Sequence, residues 1–177
     1  AGKRGSKEMR RLCPSDAGAT HASEKSYNNH WGVPLTLARM RKSAAYAVFE
    51  IGMNHAGEIA PLTRLVRPHA AIVTTVDPVH LEYFGSVEAI AEAKAEIFQG
   101  LTPGGTAVLP HDNPHFALLR QRASAVGAKI VSFGYAEGAD VRGIQANMDA
   151  RGSSVIAGID SQRFPYRIGA PGELGDV

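Results

Sequence analysis

The chain has 177 residues, 44% hydrophobic and 20% charged, enough for one folded domain with a real core and unlike a disordered chain. A formal charge of +2 is too mild to indicate nucleic acid, and the single cysteine, Cys13, excludes an internal disulfide framework and a cysteine-built zinc site. No apolar stretch is long enough to span a bilayer and no signal-peptide pattern opens the chain, so a cytoplasmic protein is expected.

The first residues, from Ala1 to Met9, read as a helix entered from a glycine-rich turn. A phosphate loop needs glycine N–H groups to close on phosphate oxygens, a lysine for the outer phosphates, and a Ser or Thr hydroxyl for magnesium. Gly2 and Lys3 supply two of these parts, and Arg4 stands where the hydroxyl belongs. After a break at Pro14 to Gly18, the segment from Thr20 to Pro34 is polar and irregular, and a helix is expected to start at Leu35. Asn28, Asn29 and His30 carry the groups a binding loop uses. The asparagines serve equally well as turn formers and cap donors.

Tyr46 to Gly52 reads as a buried strand ending on a carboxylate, Glu50, followed by a flexible turn that contains Asn54 and His55. Ile59, Leu62, Leu65 and Val66 give the next helix its apolar face, and Arg67-Pro68 stops it. Ala70 to Val76 reads as a second buried strand, four residues before His80. Beyond a turn at His80 to Ser86 the period becomes helical. Val87, Ile90, Lys94, Ile97, Phe98 and Leu101 then share one face, with Ser86 as its cap and Glu88 in its first turn.

The pattern continues with a strand at Thr106 to Leu109, a turn containing Asp112 and Asn113, a helix over His115 to Val126 and a strand at Lys129 to Phe133. Val141 to Asn147, Ser153 to Ile159 and Gln162 to Ile168 alternate without helices between them. The expected fold is α/β, a mostly parallel doubly wound sheet with an antiparallel β extension at its C-terminal end.

Glu50 and His80, at or just past two strand ends, would face the crevice where open α/β sheets bind ligands. Lys94 interrupts its own apolar stripe. It is either snorkelling at the margin or desolvated, and a desolvated lysine becomes a neutral, nucleophilic amine. Together the three suggest a cation or phosphoryl-transfer site.

Five segments in this order resemble the Mur ligase family, specifically its central ATPase domain. They are Gly2-Lys3 with Lys7-Glu8-Met9, Asn28 to Pro34, Glu50 to Ile59, His80 to Ser86, and Ala93 to Phe98. The resemblance implies ATP and Mg2+ as cofactors, and a reaction that joins D-alanyl-D-alanine to UDP-N-acetylmuramoyl-tripeptide through an acyl phosphate. It also assigns roles to residues. Glu50, His80 and Lys94, the last as a carbamate, would hold Mg2+ and serve catalysis, while Gly2 and Lys3 would take the ATP phosphates and Asp112 and Asn113 would lie near the adenine. Asn28, Asn29, His30, Asn54 and His55 would contact the muramoyl peptide.

On this resemblance, residues 1–170 form the central ATP-binding domain, truncated at its start, and 171–177 are a frayed tail. The domain that grips the uridine nucleotide and the carboxy-terminal domain that closes over ATP are absent. The chain is then a fragment or a degenerate relative, a monomer, and inactive alone. Arg4 and Pro110 depart from the family's threonine and asparagine. Two other readings stay open: a sister muramyl or folylpolyglutamate ligase, and a non-catalytic nucleotide-binding scaffold in which Arg4 marks lost ATP chemistry.

Overall fold

Backbone pairing divides the strands into two groups. The computed structural model describes residues 18–23, 27–79, 81–149 and 152–168. Strands β1 (Thr20–Ala22) and β2 (Tyr46–Val48) form a parallel pair, with Thr20 opposite Tyr46 and Ala22 opposite Val48. The second group is a six-stranded sheet whose spatial order follows the chain: β3 (Ala70–Ile72), β4 (Thr106–Pro110), β5 (Lys129–Gly134), β6 (Val141–Asp149), β7 (Gly152–Ile159) and β8 (Gln162–Ile168). Strands β3 to β6 run parallel, whereas β6, β7 and β8 are antiparallel. The mostly parallel sheet and its antiparallel C-terminal extension are therefore present as expected.

Helices α1 (Gly32–Ala38), α2 (Ile59–Val66), α3 (Leu81–Phe84), α4 (Val87–Ala95) and α5 (Phe116–Ala125) connect the strands, and a 3-10 turn at Glu96–Gly100 continues α4. Ser86 starts α4 from an extended conformation, and its hydroxyl accepts the Ala89 N–H at 3.1 Å. Arg67 ends α2 in the left-handed region, φ 52°, and returns its N–H to the Thr63 carbonyl before Pro68.

The α4 stripe forms the centre of the core. Ile90 and Phe98 are buried, as are Leu109 and Leu119 on β4 and α5, with Val87, Ile97 and Leu101 packed at the edge. Small residues at Ala91, Ala95, Ala107 and Ala123 let the helices and sheet approach closely. Each large side chain removed from water in this way contributes about 1.5–3 kcal/mol.

The structure corrects several expected boundaries. The two strands expected at Tyr46 to Gly52 and Ala70 to Val76 are three residues each, and Tyr46 and Ile72 are exposed. Among the described strands, β2 and β3 are each paired on one side only. Past Ile72 the chain leaves strand geometry yet still buries Val73 and Val76. Leu65, expected on the buried face of α2, is exposed. The polar segment after residue 19 contains β1, and α1 begins at Gly32 instead of Leu35. Leu81–Phe84, expected within a turn, forms one helical turn.

Candidate functional site

Strand β2 delivers Glu50 two residues beyond its last paired position, where Ser23 Oγ accepts the Glu50 N–H at 3.3 Å. The Asn28 side-chain amide donates to Glu50 Oε1 at 3.0 Å, and the Asn28 carbonyl accepts the Gly52 N–H at 2.7 Å. A Cβ at Gly52 would press on the Asn28 amide, so glycine is what lets these loops close. Asn29 plays the local role: its side-chain oxygen accepts the N–H groups of Trp31 and Gly32 and organises the first turn of α1. His30 lies beside the exposed Trp31 ring, with centroids 5.5 Å apart.

The turn after Glu50 is held by carboxylates. Glu58 Oε2 accepts the N–H groups of Asn54 at 2.7 Å and His55 at 3.2 Å, and the Asn54 bond is the main reason its carboxyl lies below the usual range. His55 Nδ1 sits 3.3 Å from Glu58 Oε1, and the His55 ring meets Tyr83 edge-on at 5.0 Å. Three N–H groups at the end of the turn and the start of α2 go to Glu96, which ends α4. Gly57 donates to Oε1 at 2.6 Å, and Ile59 and Ala60 donate to Oε2 at 3.2 and 3.0 Å.

Lys94 is half-buried, and its Nζ donates to the Thr75 carbonyl at 2.6 Å. Burial lowers the pKa of this amine, against a smaller opposing pull from the Asp77 carboxylate. Of the two readings left open by the sequence, the desolvated one fits. The neighbouring residue of the same segment is also fixed: the Asn113 side-chain amide donates to the Val76 carbonyl at 3.1 Å, and its oxygen accepts the His115 N–H at 3.0 Å. Asp112 accepts the N–H groups of Tyr135 at 2.6 Å and Ala136 at 3.1 Å. Asp112 and Asn113 thus pin the turn after β4 to the segments after β3 and β5.

Gly2, Lys3, Arg4 and His80 lie outside the described residues. Among the described residues no three His, Cys, Asp or Glu side chains gather as a metal-type cluster. The structure joins Asn28 to Glu50, and the Lys94 helix to the turn bearing Asn54 and His55.

The chain as a whole is similar to known proteins. Residues 1–174 match the family described as the Mur ligase middle domain. The chain belongs to the Mur ligase family. It is 45% identical over 113 residues to UDP-N-acetylmuramoyl-tripeptide–D-alanyl-D-alanine ligase of Escherichia coli, covering 64% of this chain and 25% of that protein. With the ligase of the same name from Rickettsia prowazekii the identity is 34% over 142 residues, covering 80% of this chain and 32% of the relative. The structure of MurF from Acinetobacter baumannii aligns with a TM-score of 0.87 at 31% identity, over 97% of this chain and 37% of that one. This Mur ligase chain therefore spans about a quarter to a third of the length of the curated relatives it matches.

Two groups at this candidate site escape sequence reasoning, the Thr75 carbonyl and the Glu96 carboxylate. A backbone carbonyl has no sequence signature. Glu96 lies inside a segment that carries the family resemblance, but its partners are 36 to 39 positions away, beyond any local pattern.

Proposed function

We propose that this Mur ligase domain carries the ATP-driven activation step of the ligase that joins D-alanyl-D-alanine to UDP-N-acetylmuramoyl-tripeptide, as the central segment of a longer cytoplasmic enzyme. The observation that carries this reading is Lys94, a half-buried amine with a lowered pKa, hydrogen-bonded to Thr75 in the segment leading to His80. A neutral amine captures carbon dioxide. The nitrogen forms a bond to carbon, one N–H proton leaves to water, and a carboxylate results. The remaining N–H still suits the Thr75 carbonyl.

A carbamate on Lys94, the Glu50 carboxylate and the His80 imidazole are donors of the hard, mostly oxygen type that suits Mg2+, and these residues would hold it. When bound, the ion neutralises charge on the triphosphate. The terminal carboxylate of the tripeptide attacks the γ-phosphorus of ATP, the bond to ADP breaks, and an acyl phosphate forms. The amine of D-alanyl-D-alanine then adds to the acyl carbon, loses a proton and expels phosphate. Protein groups contribute position and charge.

Asn28 orients Glu50, while Asn29 and Glu58 shape the two loops in which Asn28, His30, Asn54 and His55 would meet the muramoyl peptide. Gly2 and Lys3 would meet the phosphates of ATP. Asp112 and Asn113 support the adenine side by bracing its loops.

In a full-length ligase containing this segment, amide formation should consume one ATP per bond, and Lys94→Ala should lower it by on the order of 100-fold or more. Ligation unchanged by Lys94→Ala would refute the reading.

A further inference from the structure

We propose that Glu96 is a positioning residue for this reaction, fixing the turn that bears Asn54 and His55 relative to Lys94; the proposal rests on the ligase reading above. Glu96 gathers three backbone N–H groups, from Gly57, Ile59 and Ala60. Two of these open α2, where the first N–H groups of a helix have no partner within it. The residue at the N-cap of α2, Glu58, supplies no side-chain cap. A carboxylate from another element does so instead, which suits the positive end of the helix dipole.

The division of labour within the turn is what gives Glu96 a role beyond capping. Glu58 satisfies Asn54 and His55 from within the turn and so fixes its shape. Glu96 satisfies the other end from outside and so fixes its placement. Because Glu96 follows Lys94 by two residues at the close of α4, its carboxylate ties the turn to the same helix end that carries Lys94. Further along, Thr63 Oγ donates to the Ile97 carbonyl at 2.8 Å and Arg64 donates to Gln99 at 2.7 Å. These bonds brace α2 against the 3-10 turn without touching the Asn54–Glu58 turn.

The same contrast supplies the experiment, on the 177-residue chain labelled for NMR and equilibrated with 13C-bicarbonate. Three forms are compared: wild type, Glu96→Gln, and Thr63→Val as a control that weakens the brace alone. Glu96→Gln keeps the side-chain volume and one acceptor, and Glu96→Asp serves as a second variant should it fail to fold. In Glu96→Gln, exchange of the Gly57, Ile59 and Ala60 amides should quicken by roughly tenfold or more, as expected for loss of charge-assisted bonds. The deciding readout is the Lys94 carbamate signal with and without Mg2+. Wild type and Thr63→Val should gain intensity on adding Mg2+, while Glu96→Gln, which releases the turn continuous with the Glu50 segment, should retain the basal signal and lose the gain. If Glu96→Gln gains as Thr63→Val does, Glu96 is a structural cap only and the proposal fails. If wild type shows no carbamate at all, the ligase reading of Lys94 fails, and the proposal falls with it by a different result.

Discussion

Lys94 occupies a position where burial and charge act in opposite directions. Burial lowers its pKa, and the Asp77 carboxylate raises it by a lesser amount. The sign of a substitution at Asp77 follows. Removing the negative charge in Asp77→Asn leaves burial unopposed, so the amine loses its proton at lower pH and a larger fraction is neutral at any fixed pH below its pKa. The 13C carbamate signal should therefore rise in Asp77→Asn, and its pH profile should move toward acid. Asp77 is exposed, so added salt should shrink the difference between the two proteins. A signal that falls or stays level in Asp77→Asn would mean that this carboxylate does not hold the amine in its charged form.

At the scale of elements, the seam between α2 and the 3-10 turn is closely packed. Gly100 lies directly against the backbone and side chain of Thr63, and an added Cβ would collide with the Thr63 carbonyl. Gly100→Ala should cost about 1–3 kcal/mol through overpacking, read as a lower denaturant midpoint at unchanged slope. By comparison, Ser86→Ala removes the cap of α4 and should cost about 1 kcal/mol. The α4 stripe and this cap were legible in the sequence because both are local: a period of three to four residues and a hydroxyl three residues before the amide it accepts. β1 was hidden because Thr20 and His21 look like loop residues, and their strand character comes from pairing with Tyr46 and Ala47. His21 is fixed further by a hydrogen bond of 2.8 Å to the Thr36 carbonyl, again a distant partner. The candidate site divides in the same way. The types of Glu50, Lys94, Asp112 and Asn113 could be read from the chain, but not that Asp112 and Asn113 would spend hydrogen bonds on loop amides and carbonyls.

Across the whole molecule, the joint between β5 and β6 is where the parallel part of the sheet meets its antiparallel extension. The two strands pair only through Phe133 with Val141 and Gly134 with Arg142, a shorter ladder than those of β4 with β5 or β6 with β7. Asp140, immediately before β6, reinforces this joint by accepting both the N–H and the hydroxyl of Ser132 on β5, each at 2.7 Å. Those bonds hold its carboxyl below the ordinary range, with the Ser132 N–H as the largest cause. A carboxyl whose folded pKa is depressed stabilises the fold fully above its unfolded value of about 3.9, and loses that contribution as pH falls through the folded value. The joint should therefore loosen in acid below about 3.9, and the amides of β6 should exchange before those of β4 and β5. Ser132→Ala removes the hydroxyl donor but keeps the N–H, so the folded pKa of Asp140 rises toward its unfolded value and the acid-dependent loss becomes smaller and is complete at higher pH. Because Asp140 is exposed, the effect should be local, and the β6 amides will report it more clearly than the global melting temperature. If β6 stays protected in acid as long as β4 does, or if Ser132→Ala leaves the size of the acid-dependent loss unchanged, the joint is held by the strand ladder alone.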